Sequence, residues 1–156
     1  MKNKRAICPR YLFSRALLED EKRWILECIG YVKSIGIPIS NDIYFKHCRD
    51  FKEIGWCETE DDSKKAECTI ALSIYLNIHP ESYEMDFKEV CIHELLHTIK
   101  NKSKDPHKGS WGKYAKIIND LHVLDSESHP YYIQEKFWKN NLRIAKSRRK
   151  APSQGS

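Results

Sequence analysis

The six cysteines of this 156-residue chain form no C-x-x-C pair, and none follows Cys91. That excludes a ribbon of paired thiolates. It also argues against the closely spaced disulfides of a small secreted domain. No apolar run approaches the roughly 18 residues of a membrane-spanning helix. The basic start, Met1–Arg5, leads into no long apolar stretch. No membrane partner and no secretion signal are therefore expected, and reduced thiols in a cytoplasmic protein are. Glycine and proline number only 6 each, which excludes a low-complexity chain outside the short end Ala151–Ser156, expected to be disordered. Acidic residues are missing after Glu135. The last 21 residues consequently carry +7, while residues 1–135 carry −2, within a net charge of +5.

What is present fits one soluble domain with its own core: 40% hydrophobic and 31% charged residues. Residues 17–35 carry an apolar stripe at helical spacing (Leu17, Leu18, Ile25, Cys28, Ile29, Val32), with Ser14 as a cap and Gly36 and Pro38 as the stop. Residues 43–48, 54–58 and 67–74 read as strands, the last two around a polar turn over 59–64. Phe87, Val90, Cys91, Leu95 and Ile99 predict a second helix, with Asp86 and Glu89 as its capping box. Trp111, Tyr114, Ala115, Ile117 and Ile118 predict a third.

The second of these helices contains His93-Glu94-Leu95-Leu96-His97, an H-E-x-x-H motif. Residues four apart share a helix face, so His93 and His97 can reach one zinc ion. Glu94 then stands beside the open coordination position, where a carboxylate can take a proton from a water acidified to a pKa of roughly 7. The motif proposes a cofactor and a reaction together: one zinc ion and hydrolysis of a peptide bond. A catalytic site needs a third ligand. His107 leads, because Asn101–Pro106 is polar, ends in proline and should turn the chain back; His122, His129 and Glu127 are rivals.

Three segments carry a family resemblance: Cys68-Thr69-Ile70-Ala71-Leu72-Ser73, then Val90-Cys91-Ile92-His93-Glu94-Leu95-Leu96-His97, then Pro106-His107-Lys108-Gly109-Ser110-Trp111 with Tyr114, Ala115 and Asn119. In their order and spacing, from about Trp56 to Asp120, the chain resembles the SprT-like zinc metallopeptidases. The resemblance implies that His93, His97 and His107 bind zinc and that Glu94 is the catalytic base. Ile99-Lys100 stand where a metzincin would have its glycine, which separates the chain from that group. The cysteine ribbon that many SprT-like proteins carry is also missing, although Tyr131-Tyr132 occupy a comparable place, so a second zinc is not expected. Some family members cleave proteins attached to DNA, which makes DNA a candidate partner beside the protein or peptide substrate.

The expected architecture is α+β and zincin-like: an N-terminal helix, a small antiparallel sheet, the metal-binding helix and a following ligand helix. Residues 1–135 form the peptidase domain and 136–156 a basic, partly disordered tail. Residues 67–74 are the expected edge strand for a substrate backbone. In the tail, Arg143, Lys146, Arg148, Arg149 and Lys150 are the candidate nucleic-acid contacts. Lys100, Lys102, Lys104 and Lys108 surround the ligands and would steer an acidic substrate. Tyr114, Tyr131 and Tyr132 are candidates for stabilising an oxyanion, and Trp111 reads as a packing anchor beside His107. The alternative function is a nucleic-acid-binding module with a structural, non-catalytic zinc; a metal-free helical adaptor is the third.

Overall fold

Alternation of large apolar and polar side chains over Ile43–Cys48 makes a pleated strand with one wet face, and the rest of the sheet is built in register with it. This computed structural model of the chain describes residues 8–49, 53–59 and 66–121. The order of elements is β1 (Arg10–Phe13), α1 (Glu19–Ser34), β2 (Asp42–Cys48), β3 (Gly55–Glu58), β4 (Cys68–Ser73), two 3-10 turns (Ile74–Ile78 and Pro80–Ser82), α2 (Tyr83–Leu96) and α3 (Ser110–Leu121). His122, Glu127, His129, Tyr131, Tyr132, the boundary at residue 135 and the basic cluster from Arg143 to Lys150 lie outside the described residues, as does most of the 59–64 turn.

The fold is α+β, but the sheet is mixed rather than antiparallel. Its order is β1-β2-β4-β3. The β1–β2 and β2–β4 pairs are parallel, and only β3–β4 is antiparallel. A parallel neighbour cannot be reached by a tight hairpin, so α1 serves as the crossover from β1 to β2. β1 itself, four residues long, is too short to have a readable period. β4 lies between β2 and β3, so residues 67–74 are not an edge; every residue of β4 is buried. The edge is β3.

Register puts Tyr11, Phe13, Ile43, Phe45, His47, Cys68, Ile70, Leu72, Gly55 and Cys57 on one face, since each pairs with another of the set and successive residues alternate. That face carries the helices. α1 presents Trp24, Ile25, Cys28, Ile29 and Val32, and α2 presents Phe87, Val90, Cys91, Leu95 and Leu96, all joined in one core. α2 begins at Tyr83, four residues earlier than the capping-box pattern predicts. Asp86 and Glu89 are inside the helix, and Asp86 accepts a hydrogen bond from Ser82 Oγ at 3.0 Å. The helix ends at Leu96, leaving His97 as its C-cap. Residues 86–96 are buried without interruption. At about 1.5–3 kcal/mol per buried large side chain, packing outweighs any cap in holding α2. α1 starts at Glu19 after Leu18; Ser14 instead accepts from the Ala16 amide at 3.3 Å. None of the described helices is long and apolar enough to cross a membrane.

One buried polar knot ties sheet to helices. Glu21, 2% exposed, accepts from the Leu18 amide at 2.8 Å, from His47 Nε2 at 3.1 Å and from the Tyr83 hydroxyl. Burial pushes this carboxyl up, but the hydrogen bonds from His47, Tyr83 and Leu18 together hold it below its ordinary value. His47 is raised, first by its hydrogen bond to Glu21 and against its own burial. A raised histidine stabilises the fold below its unfolded value of 6.5 and ceases to do so as pH rises through the folded value. A lowered glutamate stabilises above its unfolded value of 4.5 and ceases to do so as pH falls. The pair's contribution is therefore largest between those two values. Glu21→Gln should cost roughly 3 kcal/mol in urea unfolding near pH 6 and flatten the decline of stability above pH 6.5. An unchanged pH slope would mean that other groups set it.

Candidate metal centre

The buried second half of α2 places His93 and Glu94 under the sheet, and the C-cap brings His97 to the same side. The chain then turns through Asn101–Gly109 and returns His107 to both. Their three ring centroids form a nearly equilateral triangle with sides of 5.0, 5.0 and 4.9 Å. The Nε2 atom of His93 lies 3.3 Å from that of His97 and 3.2 Å from that of His107. Ideal tetrahedral coordination with metal–nitrogen bonds of about 2.0–2.1 Å separates its nitrogens by roughly 3.3 Å. Those spacings match, and the three side chains can hold a metal ion.

Electrostatics favour the same species. Burial first, and then the neighbouring imidazoles, push His93 down to about 2; burial and His107 push His97 down to about 4. Both rings are thus neutral at pH 7, with lone pairs to donate. Burial increases from the open side inward: His107 is exposed, His97 half-buried and His93 buried. A ligand can enter past His107.

Glu94 is 4% exposed, with Oε1 3.8 Å from His93 Nε2. Its Oε2 is buried and has no hydrogen-bond partner among the described residues. Burial, assisted by the like charge of Glu53, pushes this carboxyl up to about 8. A group with that proton affinity can take up and release a proton near neutral pH. The pocket that holds it depends on Gly55. A Cβ there would stand 2.9 Å from Val90 Cγ1 and 3.2 Å from Glu94 Cγ, so a larger residue would push the carboxylate's helix away from the edge strand.

Two further residues matter more than their spacing in the chain suggests. Trp111 is not only a packing anchor. Its Nε1–H donates to the His93 carbonyl at 3.1 Å, and its ring centroid lies 4.8–5.5 Å from all three imidazoles. Asn101 clamps the returning loop. Its Nδ2 donates to the carbonyls of Lys108 at 2.7 Å and Pro106 at 3.3 Å, and its Oδ1 accepts from the amides of Ser103 and Ser110. Gly109 adopts a φ of +62°, and a Cβ there would come 2.3 Å from Asn101 Oδ1. A polar side chain in a lysine-rich loop gives no sequence signal for that role; only Gly109, two residues after His107, hinted at a tight turn. Tyr114 packs against the core, with Lys113 over its ring at 5.2 Å.

No known protein family, curated protein or solved structure matches the chain.

If the Asn101 clamp positions the third ligand, Asn101→Ala should weaken metal retention by about 10–100-fold. Competition with a chelator measures this, with His107→Ala as the reference for complete loss of that ligand. Affinity equal to the parent's would show that the loop holds His107 unaided.

Proposed function

We propose that the chain is a zinc-dependent endopeptidase of the SprT-like type with a zincin-like fold. The observation that carries this reading is the convergence of three imidazole nitrogens next to a buried carboxylate oxygen with no hydrogen-bond partner among the described residues. His93, His97 and His107 would hold the ion. A zinc ion bound there supplies a Lewis acid that polarises a carbonyl and brings a water's pKa down to roughly 7. Glu94 accepts the proton of the attacking water and returns it to the leaving amine. Trp111 holds the His93 backbone and walls the imidazoles from one side.

The substrate's seat follows from the corrected strand order. β3 is the sheet edge on the Glu94 side of the helix face, with Gly55 against that side chain. An extended substrate backbone added to β3 lies beside Glu94 with little dependence on its own sequence. A cleft of about 380 Å³ continues past His97 and Trp111; Lys100 and Lys104 line it against one carboxylate, Glu67, and the net positive charge favours acidic side chains there. Lys102 and Lys108 do not line it. The basic cluster of the tail (Arg143, Lys146, Arg148, Arg149 and Lys150) makes DNA-associated proteins the first substrates to test. Three donors among the described residues, rather than the four of a closed structural site, favour catalysis over a nucleic-acid-binding module with a structural zinc.

Glu94→Gln separates these readings. The variant should retain one zinc per chain by elemental analysis and lose cleavage of a DNA-binding protein by about 10²–10⁴-fold, with or without single-stranded DNA. Cleavage at the parent's rate would remove Glu94 as the base and the peptidase mechanism with it. Parent activity indifferent to DNA would remove only the DNA-linked substrate class.

A further inference from the structure

Three parallel strands end on the same side of the sheet, away from the histidines. Crevices outside the carboxyl ends of parallel strands are common ligand sites, because the connections diverge there and leave space. Here the space is an open cleft of about 460 Å³. Ser14 beyond β1, His47 and Arg49 at the end of β2, and Asn77 beyond β4 all line it, as do Lys46, Glu21 and Tyr83.

Its charge balance among the described residues is positive with His47 protonated. His47 Nε2 lies 3.1 Å from a carboxylate oxygen of Glu21, and Nδ1 lies 3.2 Å from the Leu72 carbonyl. Both partners accept, which favours the protonated imidazole, with both ring nitrogens donating. Glu21, the one carboxylate lining the cleft, already accepts from His47, the Tyr83 hydroxyl and the Leu18 amide. It has little capacity left to repel or to pair with anything else. Lys46 reaches across Ala71, with which both it and Trp56 are in register, and places Nζ 4.9 Å from the Trp56 ring. A ring face leaves the ammonium charge uncompensated. Arg49 is exposed and has no ion pair among the described residues. Lys46, His47 and Arg49 against Glu21 leave two positive charges around a cleft that also offers the Ser14 hydroxyl and the Asn77 amide.

We propose that this cleft is a second ligand site, separate from the metal centre, that binds the phosphate group of a small molecule through Arg49, Lys46 and the hydroxyl and amide donors between them. A guanidinium and an ammonium lining one cleft suit a dianionic phosphate, bidentate on one side and a point charge on the other. The cleft volume admits more than the phosphate, so the ligand carries an organic portion seated against Tyr44 and Ile74. The cleft shares no residue with the metal centre.

Inorganic phosphate and pyrophosphate are the probes. Each is titrated into the ¹⁵N-labelled full chain at constant ionic strength. Saturable amide shifts should cluster at Ser14, Lys46, His47, Arg49 and Asn77. Arg49→Gln and Lys46→Gln, both at positions outside the core, should each weaken binding about tenfold while leaving the spectrum of the rest of the chain in place. Shifts that rise linearly without saturation, or that spread over the lysines of residues 100–116, would overturn the site, and so would parent-like affinity in both variants. Zinc content measured in the same samples reports on the metal centre independently.

Discussion

Two imidazole nitrogens facing each other at 3.2 Å need something positive between them. Their lone pairs repel, and a proton can bridge one such contact but not satisfy three rings that converge on a single point. The rest of the site is arranged to make that convergence unavoidable. His93 has no freedom, because residues 86–96 are buried without interruption and Trp111 bonds its carbonyl. His97 follows one turn later. His107 comes from a loop that would otherwise be mobile, and the Asn101 amide holds that loop at four points. Entropy of ordering is thereby spent during folding rather than when a metal arrives.

Glu21 and Glu94 are both buried acids near histidines, and their environments drive them in opposite directions. Glu21 accepts from an imidazole, a hydroxyl and an amide, and its proton affinity falls. Glu94 has a bare oxygen, an apolar surround and Glu53 for a neighbour, and its proton affinity rises. The first arrangement fits a structural group whose charge is permanently neutralised. The second leaves a carboxyl with capacity for a proton beside a metal-binding cluster, which is the division of labour expected between a scaffold acid and a reacting one. The mostly parallel sheet separates them: Glu94 packs against Gly55 of the β3 edge, while the Glu21 knot lines the cleft at the carboxyl ends of the parallel strands.

Much of the candidate site is legible in the sequence because helical geometry is local. Histidines at i and i+4 share one face wherever the helix lies, and a proline-terminated polar loop means a turn. Two of the helices and three of the strands follow from apolar periodicity in the same way. The start of α2 does not. Its 3-10 lead-in and the unbroken burial of residues 86–96 erase the one-sided pattern on which a capping-box reading relies. Four-residue β1 carries no period at all.

What the sequence by itself determined, then, is the chemistry of the donor set: two histidines and a glutamate on one helix and a third histidine within a turn's reach. Tertiary structure alone decided which strand is exposed beside them, since an interior and an edge strand are equally apolar in the chain and differ only in whether a neighbour arrives. It also decided that Asn101 and Trp111 belong to the centre. Their effect lies in hydrogen bonds to backbone groups 5–18 residues away, and backbone carbonyls have no signature in an amino-acid sequence.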